Sequence, residues 1–338
     1  KMSKFAGGQH ILLLALLICL YVCCDSANYQ VETLNGTRVS MGEGPHWKYP
    51  NLYYADLDTG QVVRYDTITK RTYKCQIVNH RKVSFIIPYK NSDTLFAVGL
   101  NHLAAQIYWD GLATKCHVIK RLFEVETENP RDIHNCLNDA KCDSRGRLFT
   151  GTGNCDFDNA GVNDHGPYRN LYKFADGRLE RILPNVNLSN GMAWNYKRKE
   201  YYYIDSGRND IIQFDYDLET GRTANPKVVF HLDTSEFPPN FTGWIVMDGM
   251  TKDTAGYLYV VVHGTNKILK ICTRKWRIVE HIETPCQFIS SATFGGVTLR
   301  ELYVTSVDLQ NATTPCGKIF RIRGFTARGD PNESISDI

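Results

Sequence analysis

The chain is poor in the patterns that mark membrane spans, helices and nucleic-acid binding. After residue 24 no apolar run approaches the ~20 residues that a bilayer-crossing helix needs, which excludes such a span from the body of the chain. Beyond the first 26 residues no stretch keeps apolar side chains at helical spacing over about 11 positions, so a helical fold is excluded as well. Charge of one sign is missing: 39 Lys and Arg against 36 Asp and Glu leave a formal +3, with no extended basic run to suit nucleic acid or an anionic surface. No His-Glu-x-x-His or Cys/His cluster suggests zinc, and no Gly-x-Ser-x-Gly suggests a serine nucleophile. Gly42-x-Gly44 and Gly151-x-Gly153 lack the third glycine of a dinucleotide loop.

What the chain has is tyrosine, 19 of them, set in short extended runs. Around Leu188-Ser189-Asn190-Gly191-Met192-Ala193-Trp194 four such runs follow one another through turn residues, and the second of them is Tyr201-Tyr202-Tyr203-Ile204-Asp205. That second run recurs. Six copies begin at Leu52, Leu95, Leu148, Tyr201, Leu258 and Leu302, a mean spacing of 50 residues. Third runs follow all six copies and fourth runs follow five. The sixth lacks its fourth, and the stretch 29–34, ahead of the first copy, is the candidate to supply it. The expected fold is all-β: a six-bladed β-propeller of four-stranded blades over residues 27–325, its last blade closed by the N-terminal strand, with a polar C-terminal tail at 326–338.

The first run of each blade should line the central channel. Four of the six present an oxygen ligand there: Glu43, Asn138, Asn190 and Asp248. Taken singly, Asn190-Gly191 or Asp248-Gly249 reads as turn punctuation; their recurrence in repeat units points to a shared site. Two carboxylates and two amides suit a hard divalent cation, Ca²⁺ first, with Zn²⁺, Mg²⁺ or Mn²⁺ also acceptable to oxygen ligands. Four long polar loops, 123–135, 152–169, 233–245 and 306–317, should crowd the face where these residues open. His46, His134 and His165 should stand near that mouth.

The N-terminus has the layout of a secretory signal peptide over residues 1–26: Lys1 and Lys4, an apolar run of 14 residues from Ile11 to Cys24, then small or polar residues. A secreted, extracellular location follows as an expectation. Of 11 cysteines three fall in that segment, and the other eight are expected in disulfides. Cys136 and Cys142 are excluded as a pair, because six positions along an extended strand put them ~20 Å apart. Sequons at Asn35, Asn187, Asn240, Asn311 and Asn332 predict exposed, glycosylated loops.

Several of these stretches together resemble one family. They are Gly42-Glu43-Gly44-Pro45-His46-Trp47, Leu137-Asn138-Asp139-Ala140-Lys141-Cys142-Asp143, Ser189-Asn190-Gly191-Met192-Ala193-Trp194, Tyr202-Tyr203-Ile204-Asp205-Ser206, and Phe294-Gly295-Gly296 with Glu301-Leu302-Tyr303-Val304-Thr305. The chain resembles, from about residue 35 to 325, the gluconolactonase, regucalcin (senescence marker protein) and luciferin-regenerating enzyme family. Val83-Ser84-Phe85-Ile86-Ile87-Pro88 is similar to the insect luciferin-regenerating branch. The resemblance implies a divalent metal held by Glu43, Asn190 and Asp248, with Asn138 and Asp156 at the substrate. It also implies hydrolysis of a small-molecule lactone or ester, with Asp248 helping to activate water. Cys136 stands where the family often has a substrate-binding arginine, Ala140 where it has glycine, and Gly153 where it has methionine. Those departures keep open a non-catalytic, small-molecule-binding propeller with a structural Ca²⁺.

Overall fold

The computed structural model describes residues 28–154, 168–237, 244–309 and 315–336. The signal segment, Asp156, Cys155, His165 and the sequon residues Asn240 and Asn311 lie outside them, as do parts of three of the four long loops. Strands dominate, and the only helical residues among those described are single 3-10 turns such as Leu57–Thr59 and Ser206–Arg208. No helix among those residues is long and apolar enough to cross a membrane.

Each repeat folds as an antiparallel meander. The opening example runs Ser189–Asn195, Glu200–Asp205, Asp210–Asp217 and Arg222–His231, paired in chain order. Burial grades outward along each meander. Every residue of Glu200–Asp205 is buried, because both of its faces pack against neighbouring sheets, whereas most of Arg222–His231 is exposed and carries polar side chains. The space between sheets is filled largely by aromatics: Phe149, Trp194, Tyr201, Phe214 and Tyr216 form one such core. Trp47 stacks on Tyr303 where the first and last repeats meet, with ring centroids 5.2 Å apart. The Asp ending the second strand has a structural task. Asp205 accepts from the backbone N–H groups of Asn187 and Leu188, and Asp56 does the same for Ser40 and Met41. Each fixes the chain where it enters an inner strand.

The inner strands pack side by side: Asn135–Cys142 on Ser189–Asn195, then Val246–Lys252, Ile289–Gly295, Gly42–Lys48 and Ile86–Pro88. The all-β, propeller-like expectation therefore holds, and so does the closure: Gln30–Thr33 pairs antiparallel with Phe320–Arg323 and completes the last sheet. Six separate sheets were expected; the strands form five, four of four strands and one of eight. The eight-stranded sheet arises because the outer strands of the first two repeats pair in parallel for two residues, Gln76 with Lys115 and Ile77 with Cys116. A Cys75–Cys116 disulfide holds that seam.

The cystine expectation is met in part. Cys286–Cys316 is the second bond described, while Cys142 is a buried thiol and Cys272 a half-buried one. The tail after Phe325 also departs from a simple polar extension. It runs across the ends of several repeats, with Gly329 N–H on Leu299 O (2.7 Å), Asp330 N–H on Lys252 O (2.9 Å) and Ser336 N–H on Gly146 O (3.1 Å). Ile335 is fully buried. Its polar side chains meet polar groups on the turn face, which is why composition alone disguised a strap as a tail.

Candidate active site in the central channel

Five inner strands share one irregularity. Ser189 faces Asp205 and Met192 faces Tyr203, so Asn190 and Gly191 together oppose Ile204 alone. The same extra residue occurs at Asn138-Asp139, Asp248-Gly249, Ser290-Ser291 and Gly44-Pro45. A β-bulge re-aims side chains that a regular strand would send into the sheet core. Asn138, Asn190 and Asp248 are the first residues of their bulges. Glu43 is not: it stands one position earlier and keeps a regular partner, Ala55. The equivalence expected among four ligands is thus strict for three, with Glu43 reaching the channel from the adjoining position.

Gly191 and Gly249 let the bulged strands close on one another. A Cβ on Gly191 would lie 2.5 Å from the backbone nitrogen of Met250, and one on Gly249 would lie 2.0 Å from Ser291 Oγ. The Asn-Gly and Asp-Gly pairs are therefore packing requirements rather than hairpin turns.

Glu43, Asn190 and Asp248 share one electrostatic environment. Burial pushes both carboxyls up, and Glu43 is raised further by the charges of Asp248 and Asp139. Asp139 likewise raises Asp248, while a hydrogen bond from Asn190 lowers it. Asn190 is 3% exposed, and its Oδ1 has no hydrogen-bond partner among the described residues. A cluster of oxygen donors with an unsatisfied amide oxygen and mutually repelling carboxylates fits a hard divalent cation. Among the described residues no three His, Cys, Asp or Glu side chains gather into an ion site by themselves, so the amide is a necessary member of any such set. Asn138 donates from Nδ2 to Ser189 O at 2.8 Å.

Two residues of the site were not foreseen. His263 Nδ1 lies 3.9 Å from Asp248 Oδ2 and 3.1 Å from Ile289 O; burial lowers its pKa and favours the neutral ring. Strand register, Val246 opposite His263, puts it there, and nothing in the local sequence signals it. Asp139 is the other. The bulge was the available signal, since Asn138-Asp139 occupies the same position as Asn190-Gly191.

His46 is not at the mouth. It lines a cavity of about 240 Å³ farther along the channel, with Asp139, Lys141, Trp194 and Asn332, on the side crossed by the C-terminal strap. The residue before a strand's turn points to that end, as its pairing with Tyr53 shows. Asn332 also departs from expectation: it is half-buried, its Oδ1 accepts from Trp47 N–H at 3.1 Å and from Thr293, and its Nδ2 donates to Phe294 O at 3.1 Å. That amide is engaged inside the molecule rather than displayed for a glycan. Asn35 lies exposed in a turn and Asn187 is half-buried.

Comparison with known proteins places the fold in a family. Residues 41–308 match the family described as SMP-30/Gluconolactonase/LRE-like region. Regucalcin of Danio rerio is 29% identical over 319 residues, covering 92% of this chain and 99% of that protein. A solved luciferin-regenerating enzyme superposes with a TM-score of 0.81 at 30% identity, covering 92% of this chain and all of that one. A regucalcin from Agrobacterium tumefaciens, described as a calcium-binding protein, superposes with a TM-score of 0.75 at 16% identity, covering 90% and 97%. A lactonase-type, propeller-like fold spanning nearly the whole described chain identifies it as a member of the SMP-30/gluconolactonase/LRE-like family.

Proposed function

We propose that the chain is a secreted, divalent-metal-dependent hydrolase of a lactone or related ester. In this reading each half of the eight-stranded sheet serves as one blade, giving six around the channel. The observation that carries the chemistry is Asn190 Oδ1, buried without a partner beside two carboxylates that repel each other. Glu43, Asn190 and Asp248 would hold the cation, Ca²⁺ first in order and Zn²⁺, Mg²⁺ or Mn²⁺ as substitutes. When bound, it would supply Lewis-acid polarisation of the substrate carbonyl. Asn138 orients the substrate through its free carbonyl oxygen. Asp248 accepts the proton of the attacking water, with the neutral His263 ring 3.9 Å away. Asp156 would contact the substrate. Two cystines agree with an oxidising, extracellular location.

The test is turnover of a lactone and ester panel with and without exhaustive chelation, and in Asp248→Ala. Loss of at least about a hundredfold in kcat/KM for both is expected, with recovery of the chelated enzyme on adding back metal. Full activity after chelation would overturn the reading. A second reading, a non-catalytic binder with a structural Ca²⁺, is favoured by Cys136, a buried residue at the position where a substrate-binding arginine was expected. Saturable ligand uptake at full metal occupancy with no turnover of any ester would select it.

A further inference from the structure

The end of the ring opposite the mouth is made of the turns that follow the first and third strands of each repeat. In the third, fourth and fifth repeats the first of these turns exposes Arg145, Lys197 and Thr254. The sixth, first and second repeats, consecutive around the closed ring, differ. Their turns carry Val297, Tyr49, Ile68 and Leu112, which are 81%, 59%, 65% and 61% exposed. The turns do not require them. Asp66 accepts from Ile68 N–H at 2.9 Å and Asp110 from Leu112 N–H at 2.8 Å. In the fourth repeat Asp217 accepts the same bond from Glu219 N–H at 2.9 Å, so a charged residue serves equally well at that position. The apolar turns form one arc. A Cβ on Gly295, just before Val297, would lie 2.7 Å from the Trp47 ring, whose centroid is 6.4 Å from that of Tyr49. Thr67 donates its N–H (3.2 Å) and its Oγ1 hydroxyl (2.7 Å) to Pro50 O, which sets the Ile68 turn on the Tyr49 turn. A Cβ on Gly111 would lie 2.9 Å from Arg64 Nη1, so the Leu112 turn rests on the first repeat.

We propose that this face docks on an anionic phospholipid membrane surface, with the mouth turned to the solvent. Exposed cations stand among the apolar turns: Lys70 and Arg71 after Ile68, Lys90 in the second repeat and Arg300 in the sixth. They come from three repeats, so no basic run in the sequence marks them. The nearby acids are engaged, Asp66 and Asp110 with the backbone of their own turns and Asp93 with Lys48 at 2.9 Å. Cations left facing outward complement lipid headgroup phosphate and carboxylate. The polar residues Thr67, Thr69 and Thr298 divide the apolar ones, so the face lacks the continuous dry core that a protein partner buries. A fluid interface takes apolar side chains singly, provided they reach one level, as turns at one end of a ring of sheets do. Tyr49, with an apolar ring and a polar hydroxyl, suits the headgroup layer. The face uses none of Glu43, Asn190 or Asp248, so it stands or falls independently of the hydrolase reading.

The test is cosedimentation of the intact protein with vesicles of phosphatidylcholine containing about 30% phosphatidylserine, beside vesicles of phosphatidylcholine alone. Binding to the anionic vesicles is expected, weaker at high salt and weaker on phosphatidylcholine alone. Ile68→Ser combined with Leu112→Ser should weaken it at least about tenfold, and Val297→Ser, on a separate turn, by about two- to fivefold. Val228→Ser, exposed on an outer strand away from these turns, should leave it unchanged. Should the double variant fail to fold, Val297→Ser decides. No binding to anionic vesicles, or as large a loss in Val228→Ser as in the turn variants, overturns the proposal. So does a wild type that self-associates in analytical ultracentrifugation without binding vesicles while the double variant stays monomeric, since the face would then join two copies of this chain.

Discussion

His46 shows how one buried side chain ties the channel to pH. Burial, with Lys141 and Lys48 nearby, lowers its pKa from 6.5 to about 3. The folded protein therefore keeps the ring neutral at pH values where the unfolded chain takes up a proton. Below pH 6.5 the unfolded state binds more protons, so stability falls as pH falls, and the loss is complete near pH 3. The limiting slope is about 1.4 kcal/mol per pH unit from this group. The buried carboxyls of Asp139 and Asp330, raised by burial, act in the opposite direction. The comparison must therefore be between wild type and His46→Leu, by urea unfolding at several pH values. The wild type should lose stability more steeply between pH 6.5 and pH 4, and parallel curves would refute the assignment.

At the scale of elements the repeated bulge is the device that makes a site out of a sheet. Gly191 closes Ser189–Asn195 against Val246–Lys252, and its missing Cβ is what allows the approach to Met250 N. Gly191→Ala should cost about 1–3 kcal/mol as overpacking against backbone, read from the urea midpoint at unchanged m-value. It should also shift Asn190 and so weaken metal retention, read by a metal-binding titration. The strands themselves were legible in the sequence because alternation and turn residues are local: Tyr201-Tyr202-Tyr203-Ile204-Asp205 and its five relatives reappear within a residue or so of where the pattern put them. Asn190 and Asp248 were legible through recurrence. His263, the strap and the fused eight-stranded sheet were not, since each depends on contacts between segments far apart in the chain. Val246 opposite His263, Tyr89 beside Ile335 and Gln76 beside Lys115 leave no periodic trace. Asn332 was misread for the same reason: its sequon is local, whereas Trp47 and Phe294, which occupy its amide, are more than 30 residues away.

At the scale of the molecule, both termini fasten the ring, on different structures. Near the N-terminus, Gln30–Thr33 completes the last sheet, Leu34 is 2% exposed with its N–H on Ile319 O, and Tyr29 donates to Glu280 on the neighbouring sheet at 2.8 Å. At the other end the strap buries Ile335 and links Tyr89, Gly146, Lys252 and Leu299, which belong to four different repeats. A ring of sheets without such ties would keep a seam that opens first, because the last sheet would have only three strands. Leu34→Ala and Ile335→Ala should each cost about 2–5 kcal/mol through the cavity they leave. Glu32→Ala, which removes the pairings of an exposed carboxylate with Arg321 and Arg323, should cost about 1 kcal/mol or less. Leu34 and Ile335 share no contacts in the core, Leu34 packing with Trp47 and Tyr54 and Ile335 with Tyr89 and Leu148. Their double mutant should therefore be additive within about 0.5 kcal/mol if the two ties act independently on one cooperative unit. Hydrogen exchange separates the alternatives. Equal loss of protection in all sheets after either substitution marks a single cooperative ring, whereas loss confined to Phe320–Arg323 in Leu34→Ala would show that the last sheet opens by itself.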